Sequence, residues 1–480
     1  MKGLNVYNVK DFGAVGDGKT LDTQAFSQAI TYASQTQGTV FVPNGVWLIG
    51  TIYLKSNIRF VMDENAVLKG SDKKEHYERY PQDENNAYLK RKNGPYGTMP
   101  FCSLVCVDQA ENVEITGGKI VFNDLAFNDK HPLNPIILDD EYIQGIQYIR
   151  QPSYYYHPKQ HRPMAVYISR SENIVMKNVA LEKCPVYSVW CLNSEKLIFE
   201  QVRIKNSKYQ WNGDGLHFSA CRHVHIADCN IDASDDCIAI DSNYGGQSYD
   251  FNVKNCLFKT TIHAIRLYTG LDLSMDESCN GDYERYSVSN IKISDCKVVE
   301  GAGILLICSF DGNIRDVQIE NLECKQSYEG TAISMSAKAG TISGIQIKNC
   351  KFDCNGVGYY CAEKNGRIAS VQLEKCQFSV TPKTKFWGDD FPDGLATHMF
   401  SMPYAMVCKN VEDLTLNEVY VHWNDAIFTN TYSEEDANKV KEAWGEQRLG
   451  EIEPKYIQTL QLTNSDIKTI NCQLENYMCS

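Results

Sequence analysis

Three aspartates and one histidine have the residue types and the spacing that acid–base chemistry requires. Asp214 lies in the segment Asn-Gly-Asp-Gly, and the adjacent pair Asp235 and Asp236 follows 21 residues later in Ser-Asp-Asp-Cys. His263 comes 27 residues after Asp236. Because adjacent carboxylates resist joint ionisation, the pKa of one member of the pair should rise, leaving a protonated acid beside a charged base. The four residues therefore predict a site that transfers protons.

The same residues also have a purely structural explanation. Aspartate pairs and Asn-Gly-Asp turns are frequent at chain corners, where the side chains bond their own backbone. Two such motifs one repeat apart, followed by His263 one repeat further, favour catalysis over that explanation. No metal site is predicted, because the aspartates and histidines around these motifs lack a compact ligand spacing.

A short repeated phrase predicts the elements that position these residues. It reads apolar, any, apolar, two polar residues, then Cys or another small apolar residue, as in residues 224–229. Clear copies end at Cys229, Cys256, Cys296, Leu322, Cys350 and Cys376, and weaker copies end at Val179, Val202, Val419 and Ser465. The intervals are 23, 27, 27, 40, 26, 28, 26, 43 and 46 residues, so six of the nine fit one coil of a parallel β-helix. Alternation within the phrase turns one face inward, and a stack of cysteines fills the narrow interior.

We therefore predict an all-β fold in which residues 1–480 form one right-handed parallel β-helix domain. A leucine-rich repeat would need a Leu-dominated consensus, and a propeller would need about four strands per ~40 residues; neither matches. Residues 1–75 should form the N-terminal segment and cap. Within it, a helix over residues 23–33 has one apolar face that covers the open end of the solenoid.

The lengthened intervals predict insertions, which on a solenoid fall on one face, often the binding face. We expect loop insertions at residues 77–101 and 124–161 and a helical insertion at residues 424–457, with a helix over residues 433–448. Residues 139–162 carry five tyrosines, whose flat rings either contact a sugar or pack on one another.

Composition limits the partners and the compartment. With 47 basic and 60 acidic residues, the net charge of −13 disfavours nucleic acid or an anionic membrane as the main partner. No run approaches the roughly 18 apolar residues that span a bilayer, and the start lacks the apolar segment of a secretory signal. Nineteen cysteines, an odd number, are predicted to be buried thiols rather than disulfides. We expect a cytoplasmic protein, or an extracellular one if Met1 is not the natural start.

Several of these segments resemble a known family. Residues 9–20 resemble the opening segment of many pectin-degrading and phage-tail β-helix proteins. The Asn-Gly-Asp at residues 212–214, the Asp-Asp-Cys-Ile-Ala-Ile at residues 235–240 and the later His263 resemble the motifs of the polygalacturonase-like glycoside hydrolases of family 28. The resemblance covers nearly the whole chain and is strongest between residues 8 and 270.

The resemblance implies roles for the site residues. Asp235 would be the general acid that protonates the leaving glycosidic oxygen, while Asp214 and Asp236 would hold and deprotonate the attacking water. His263 would tune the protonation of the acid or contact the substrate. The expected substrate-binding residues are Asn212, Arg266, Tyr268 and His217. The implied reaction is an inverting hydrolysis that needs no cofactor, with an oligosaccharide or polysaccharide as the partner.

One departure from the family puts the sugar in doubt. Polygalacturonases carry an Arg-Ile-Lys in a later coil, whereas the matching residues 302–308 are Ala-Gly-Ile-Leu-Leu-Ile-Cys, with Leu305 and Ile307 at the expected cation positions. An apolar side chain cannot replace an arginine bound to a carboxylate. Arg266 could supply a cation from the coil before, and galacturonate, a rhamnogalacturonan-type linkage and a neutral glycoside all remain open. Because insertions could close one end of the groove, we expect exo-action on pectin-derived oligosaccharides.

Two other functions share parts of the pattern. A β-helix lyase would need Ca²⁺ or a strongly basic residue beside the substrate, and no Arg or Lys cluster is evident around Asp214 and Asp235. A non-catalytic carbohydrate-binding or tail-spike-like protein would share the opening segment, but such spikes usually trimerise through a C-terminal segment that is not evident here.

Overall fold

The computed structural model describes most of the chain. It covers residues 5–78, 102–130, 156–158, 162–207, 210, 212–242, 246–270, 282–301, 303–325, 331–381, 404–424 and 456–478. The helices in these residues are the α-helix Thr23–Thr36 and the short 3₁₀ helices Val9–Phe12, Lys74–His76 and Asp124–Ala126.

The described strands form two long sheets and one short pair. The 25-stranded sheet contains Val6–Asn8, Thr39–Val42, Ile52–Leu54, Ile58–Met62, Ser103–Asp108, Glu111–Thr116, Met164–Ser169, Glu172–Lys177, Val189–Leu192, Glu195–Glu200, Leu216–Ser219, Arg222–Ala227, Ile238–Asp241, Ser248–Lys254, His263–Thr269, Val288–Ser294, Gly303–Ser309, Ile314–Glu320, Ile333–Lys348, Gly358–Glu374, Tyr404–Lys409, Val411–Asn417, Tyr456–Thr463, Ile467–Ile470 and Tyr477–Met478. The 14-stranded sheet contains Asp17–Leu21, Gly45–Ile49, Ala66–Gly70, Lys119–Val121, Ala180–Glu182, Arg203–Lys205, Asn230–Asp232, Leu257–Lys259, Lys297–Glu300, Glu323–Lys325, Lys351–Cys354, Gln377–Val380, Tyr420–Trp423 and Gln473–Leu474. Asn128–Lys130 pairs antiparallel with Tyr156–Pro158.

Each coil of the solenoid repeats the same three strands. In one coil these are Leu216–Ser219, Arg222–Ala227 and Asn230–Asp232, and each pairs in parallel with its equivalent in the next coil. The first two belong to the 25-stranded sheet and the third to the 14-stranded sheet. The predicted right-handed parallel β-helix is confirmed.

The repeated phrase forms the strands because its alternation matches the pleat. In Arg222–Ala227 the side chains of Val224 and Ile226 are buried in the interior, while His225 between them points outward and is half-exposed. The next residue, Asp228, has a φ of 56°, a left-handed conformation that Asn and Asp adopt more readily than most residues, and it turns the chain into the next strand. Cys229 then points back into the core.

Core side chains pack against one another from coil to coil. The ring of Phe218 packs edge-on against Phe199 in the coil before and Phe251 in the coil after, with ring centroids 5.5 Å apart in both pairs. Of the seventeen cysteines in the described residues, sixteen are buried and none forms a disulfide, as the sequence predicted. The stacked core holds the coils in a fixed register, and this register places the site.

The N-terminal helix caps the solenoid as predicted. Its buried face consists of Ala25, Phe26, Ala29, Ile30 and Ala33. Phe26 packs edge-on against Trp47, at 5.8 Å between ring centroids. The helix runs to Thr36, three residues beyond the predicted end, and closes on Gln37 in the left-handed conformation.

The predicted insertions fall mostly outside the described residues. This holds for nearly all of residues 77–101, for most of 124–161 with its tyrosine-rich part, and for the helix expected over residues 433–448. The single-domain layout therefore stays a prediction. Within the described part of the chain, no helix has the length and apolar character needed to cross a membrane.

Candidate active site

Three successive coils bring the predicted catalytic residues into one row. Leu216 pairs with Ile238, which pairs with Ile265, so counting back two residues places Asp214, Asp236 and His263 side by side. Backbone bonds extend the register: the amide of Gly215 donates to the carbonyl of Asp236 at 2.9 Å. Asp235 precedes Asp236 in the same turn. The neighbour of Asp214 in the row is thus Asp236, with Asp235 one residue to the side.

Two glycines allow the Asp214 turn to lie close to the Asp235–Asp236 turn. A Cβ on Gly213 would lie 2.0 Å from the Ser234 hydroxyl oxygen. A Cβ on Gly215 would lie 2.5 Å from the carbonyl oxygen of Cys237. Since real Cβ atoms do not approach other atoms so closely, any side chain here would push the two turns apart.

Asp236 is held as a carboxylate by its contacts with His263 and Arg266. Its Oδ1 lies 2.8 Å from Nδ1 of His263, and its Oδ2 accepts a hydrogen bond of 3.1 Å from Arg266. Burial alone would raise the pKa of Asp236, but Arg266 and His263 outweigh it and the pKa lies below its usual value. Asp236 is therefore charged in the folded protein.

The pKa of Asp235 is shifted in the opposite direction to that of Asp236. Burial raises its pKa well above the usual value, and the negative charges of Asp214 and Asp236 raise it further. Its Oδ1 accepts a hydrogen bond of 3.1 Å from the backbone amide of Asp236. The pKa values of the two adjacent aspartates are thus shifted in opposite directions, upward for Asp235 and downward for Asp236.

Asp214 lies against a buried imidazole. Its Oδ2 is 2.7 Å from Nδ1 of His217, three residues further along the chain. Burial raises the pKa of Asp214 above its usual value, although His217 acts in the opposite direction. The predicted acid, Asp235, and both predicted bases, Asp214 and Asp236, thus lie within one electrostatically coupled cluster.

The predicted substrate-binding residues differ in what they contact. Arg266 has a side chain that is 17% exposed, is paired with Asp236, and lies over the ring of Tyr268 at 4.3 Å. The Tyr268 hydroxyl is 3.1 Å from Nε2 of His217. Asn212 has a φ of 51°, and its side-chain oxygen is buried and accepts no hydrogen bond from the described residues. Substrate contact by these four residues stays a prediction.

The network around His217 includes residues that the sequence did not single out. Asp241 accepts at Oδ2 from the hydroxyl of Ser219 at 2.8 Å and lies 2.8 Å from Nε2 of His217. Tyr187 stacks on the imidazole, with ring centroids 4.8 Å apart. The sequence contains a signal for this network, because Ser219 and Asp241 hold equivalent positions in successive coils. Finding that signal requires knowing which residue of one coil pairs with which residue of the next.

The interpretation of Leu305 and Ile307 was wrong by one residue. Both side chains are buried in the main core, where Leu305 pairs with Ile265 and Ile307 with Leu267. The side chains on the site face of this strand are Leu306 and Cys308, which pack with Ala239 and Tyr268. Since side chains alternate along a strand, a motif aligned one residue off changes the face. The strand Gly303–Ser309 still contributes no cation to the site.

No group of three or more His, Cys, Asp or Glu side chains in the described ranges is arranged to hold a metal ion. The side chains in direct contact with Asp214 and Asp236 are His217, His263 and Arg266.

Comparison with known proteins shows which family the site region resembles. Residues 143–353, which contain every residue of this cluster, match the model of the glycosyl hydrolases family 28. The resemblance to family 28 noted in the sequence is therefore confirmed over these residues. Residues 6–94 match the model described as rhamnogalacturonase A/epimerase, pectate lyase-like.

Two curated proteins are similar to parts of this chain. A probable polygalacturonase of Vitis vinifera is 26% identical over 257 residues, 52% of this chain and 47% of the relative. An exo-poly-alpha-D-galacturonosidase of Dickeya chrysanthemi is 24% identical over 263 residues, 50% of this chain and 42% of the relative. The matches therefore span less than half of each relative.

A solved structure has the same fold. The family 28 exopolygalacturonase of Yersinia enterocolitica superposes with a TM-score of 0.63 at 17% identity, covering 88% of this chain and 77% of that one. At this identity the likeness shows the fold alone.

Proposed function

We propose that this chain is a family 28 glycosidase that hydrolyses O-glycosyl bonds in pectin-derived oligosaccharides. The observation that carries the proposal is one buried cluster in which the pKa of Asp235 is raised well above its usual value while that of its neighbour Asp236, bonded to His263 and Arg266, is lowered. Glycoside hydrolysis requires such a division, because one carboxyl group must donate a proton and another must accept one.

The proposed reaction assigns one proton transfer to each side of the bond. Asp235 donates its proton to the glycosidic oxygen as the bond from that oxygen to the anomeric carbon breaks. A water molecule attacks the anomeric carbon from the opposite face and loses a proton to Asp214 or Asp236, both within the same row. His263 and Arg266 keep Asp236 charged through contacts of 2.8 and 3.1 Å.

Inversion is proposed for the stereochemistry. An inverting enzyme leaves room for water between acid and base, at about 6.5–9.5 Å, whereas neighbouring coils are about 4.8 Å apart. Asp235 lies one residue to the side of the row that contains Asp214 and Asp236. This offset supports the larger distance between acid and base that inversion requires. The product anomer, followed by proton NMR in the first minutes of reaction, tests this directly: initial release of the same anomer as in the substrate would contradict inversion.

The site's charges favour a rhamnogalacturonan-type substrate, which contains uncharged as well as charged sugars, over the fully charged galacturonate polymer. The strand after the catalytic coils presents Leu306 and Cys308 instead of cations, so a uronate carboxylate would have to be bound from elsewhere. Arg266 is the arginine within this cluster, and Asp236 already occupies one of its nitrogens. A sugar without a carboxylate is therefore expected beside Leu306.

Exo-action is supported by the coils that precede Asp214. Their outer side chains form a buried apolar cluster that contains Cys106, Met164, Tyr167, Val186, Tyr187, Trp190 and Leu192. Tyr167 and Trp190 are only 3% and 1% exposed. An endo-acting enzyme needs an open groove on both sides of the cleavage point, whereas this side is covered. The name of the Dickeya chrysanthemi relative points the same way.

A panel of galacturonan, rhamnogalacturonan and neutral oligosaccharides tests the proposed function. We expect new reducing ends with no rise in ultraviolet absorbance, and release of terminal sugars before the viscosity of the parent polymer falls. An unsaturated, ultraviolet-absorbing product would instead assign a lyase. A rapid fall in viscosity before terminal sugar appears would contradict exo-action, and absence of cleavage across the panel would contradict the proposed function.

A further inference from the structure

His217 is buried between two carboxylates. Its Nδ1 lies 2.7 Å from Asp214 and its Nε2 lies 2.8 Å from Asp241, and the side chain is 5% exposed. Two tyrosines also contact the ring: Tyr268, two coils further along, has its hydroxyl 3.1 Å from Nε2, and Tyr187, from the coil before, stacks on the ring. Both ring nitrogens therefore face groups of the protein.

These contacts define the charge of the ring. A neutral imidazole has one N–H, so it can donate to one of the two carboxylates and must present a lone pair to the other. An imidazolium has two N–H groups and satisfies both. Burial alone would lower the pKa of His217, but hydrogen bonds to Asp214 and Asp241 outweigh it and raise the pKa to about 10. The ring is therefore protonated at neutral pH.

The far side of the bridge is fixed by further hydrogen bonds. Asp241 accepts from the Ser219 hydroxyl at 2.8 Å, and the same hydroxyl oxygen accepts from the indole N–H of Trp190 at 3.0 Å. Together with the stacked ring of Tyr187, these contacts leave the imidazolium one orientation, with Nδ1 directed at Asp214.

We propose that His217 is a positioning residue, which orients Asp214 and keeps it charged so that it can accept the proton of the attacking water. This assignment replaces the substrate contact expected from the sequence, and it rests on the proposed hydrolytic function. Other charges acting on Asp214 are those of Asp236, which opposes ionisation, and Arg266, which favours it. His217 is the cation in direct contact.

The kinetic test compares His217→Gln with a matched control. His223→Gln is the control, because His223 also pairs with an aspartate, Asp250. Both of these side chains are exposed, and neither lies on the strand that contains His217. For H217Q we expect kcat to fall roughly 10–100-fold with KM nearly unchanged, as for other residues that orient a catalytic group. The acidic limb of the pH profile should move up by about 1–3 units, the effect of removing a cation next to a carboxylate. H223Q should match the wild type.

A KM increase at unchanged kcat would overturn the proposal, since it would indicate direct substrate contact. An unmoved acidic limb would also overturn it. If H217Q fails to fold, Asp241→Asn provides the second variant: it retains the contact of His217 with Asp214 but removes one of the two carboxylates, and should shift the acidic limb in the same direction by a smaller amount.

An NMR measurement on the full chain separates this inference from the proposed function. With ¹⁵N-labelled histidine and no substrate, both His217 nitrogens should carry protons at pH 8, the signal being assigned by its absence in H217Q or by its shift in D241N. A neutral imidazole at pH 8 would overturn the inference even if hydrolysis is found. If no glycoside is cleaved, the proposed function fails while this spectrum still decides the state of the bridge.

Discussion

At the scale of single residues, the site depends on how three neighbouring aspartates acquire different protonation states. All three are buried, and burial disfavours the charged form of each. The difference comes from their partners: Asp236 has Arg266 and His263, Asp214 has His217, and Asp235 has a backbone amide. Asp235 has no cation in direct contact among these partners, and its pKa is the one raised well above the usual value.

The charge of Arg266 should set the position of the pH profile. Arg266 lowers the pKa of Asp214, Asp235 and Asp236, so Arg266→Gln should raise all three. The bases then ionise at higher pH and the acid keeps its proton to higher pH. Both limbs of the profile of kcat/KM should therefore move upward, by about 1–3 units.

The matched control is Arg315→Gln, which removes an arginine paired with Glu284 away from the site. Its profile should coincide with that of the wild type. Limbs of R266Q that stay in place, or that move in opposite directions, would contradict the electrostatic role given to Arg266.

At the scale of elements, catalysis depends on the close approach of two turns. Gly215→Ala places a Cβ 2.4 Å from the side chain of Ile231 and 2.5 Å from the carbonyl of Cys237. Relieving that overlap should separate Asp214 from Asp236, and a displacement of about 1 Å at a catalytic group costs on the order of 100-fold in rate. Overpacking should also cost about 1–3 kcal/mol of unfolding free energy.

Gly301→Ala serves as the comparison, because its nearest heavy atom would be 3.3 Å away and the position lies outside the catalytic row. Denaturant unfolding and initial rates, measured on both variants, check the prediction. Equal rates in the two would show that the approach of the turns is unimportant.

The strands were largely predictable from the sequence, and the side-chain contacts between coils were not. The phrase ending at Cys229 predicts a strand because apolar and polar residues alternate along it and Asp228 at its end favours a left-handed turn. Both signals are local, so they can be read from the sequence. The contact of His217 with Asp241 joins different coils and depends on a register that local patterns do not define. The error at Leu305 has the same origin, because a shift of one residue exchanges the inner and outer faces.

At the scale of the whole molecule, stacked coils bury a continuous core that includes most of the cysteines. Burial raises the pKa of Cys237, Cys191 and Cys324 well above the usual value, so these thiols are both covered and unreactive. Sixteen of the nineteen cysteines are buried in the described residues.

Native protein should therefore react quickly with a thiol reagent such as Ellman's reagent at three sites at most, and at nineteen after unfolding in denaturant with reductant removed. Reaction of many thiols in the native state would indicate that the solenoid core is open.

The acid role of Asp235 is the claim on which the proposed chemistry depends. The most direct measurement compares the initial rate of new reducing ends for wild type, Asp235→Asn and Asp228→Asn, on the best oligosaccharide of the panel. Asp228→Asn is the control because Asp228 is an exposed aspartate at a turn outside the catalytic row. We expect Asp235→Asn to lose roughly 10²–10⁴-fold in rate, the contribution of a positioned general acid, and the control to keep the wild-type rate. Full activity in Asp235→Asn would contradict the account.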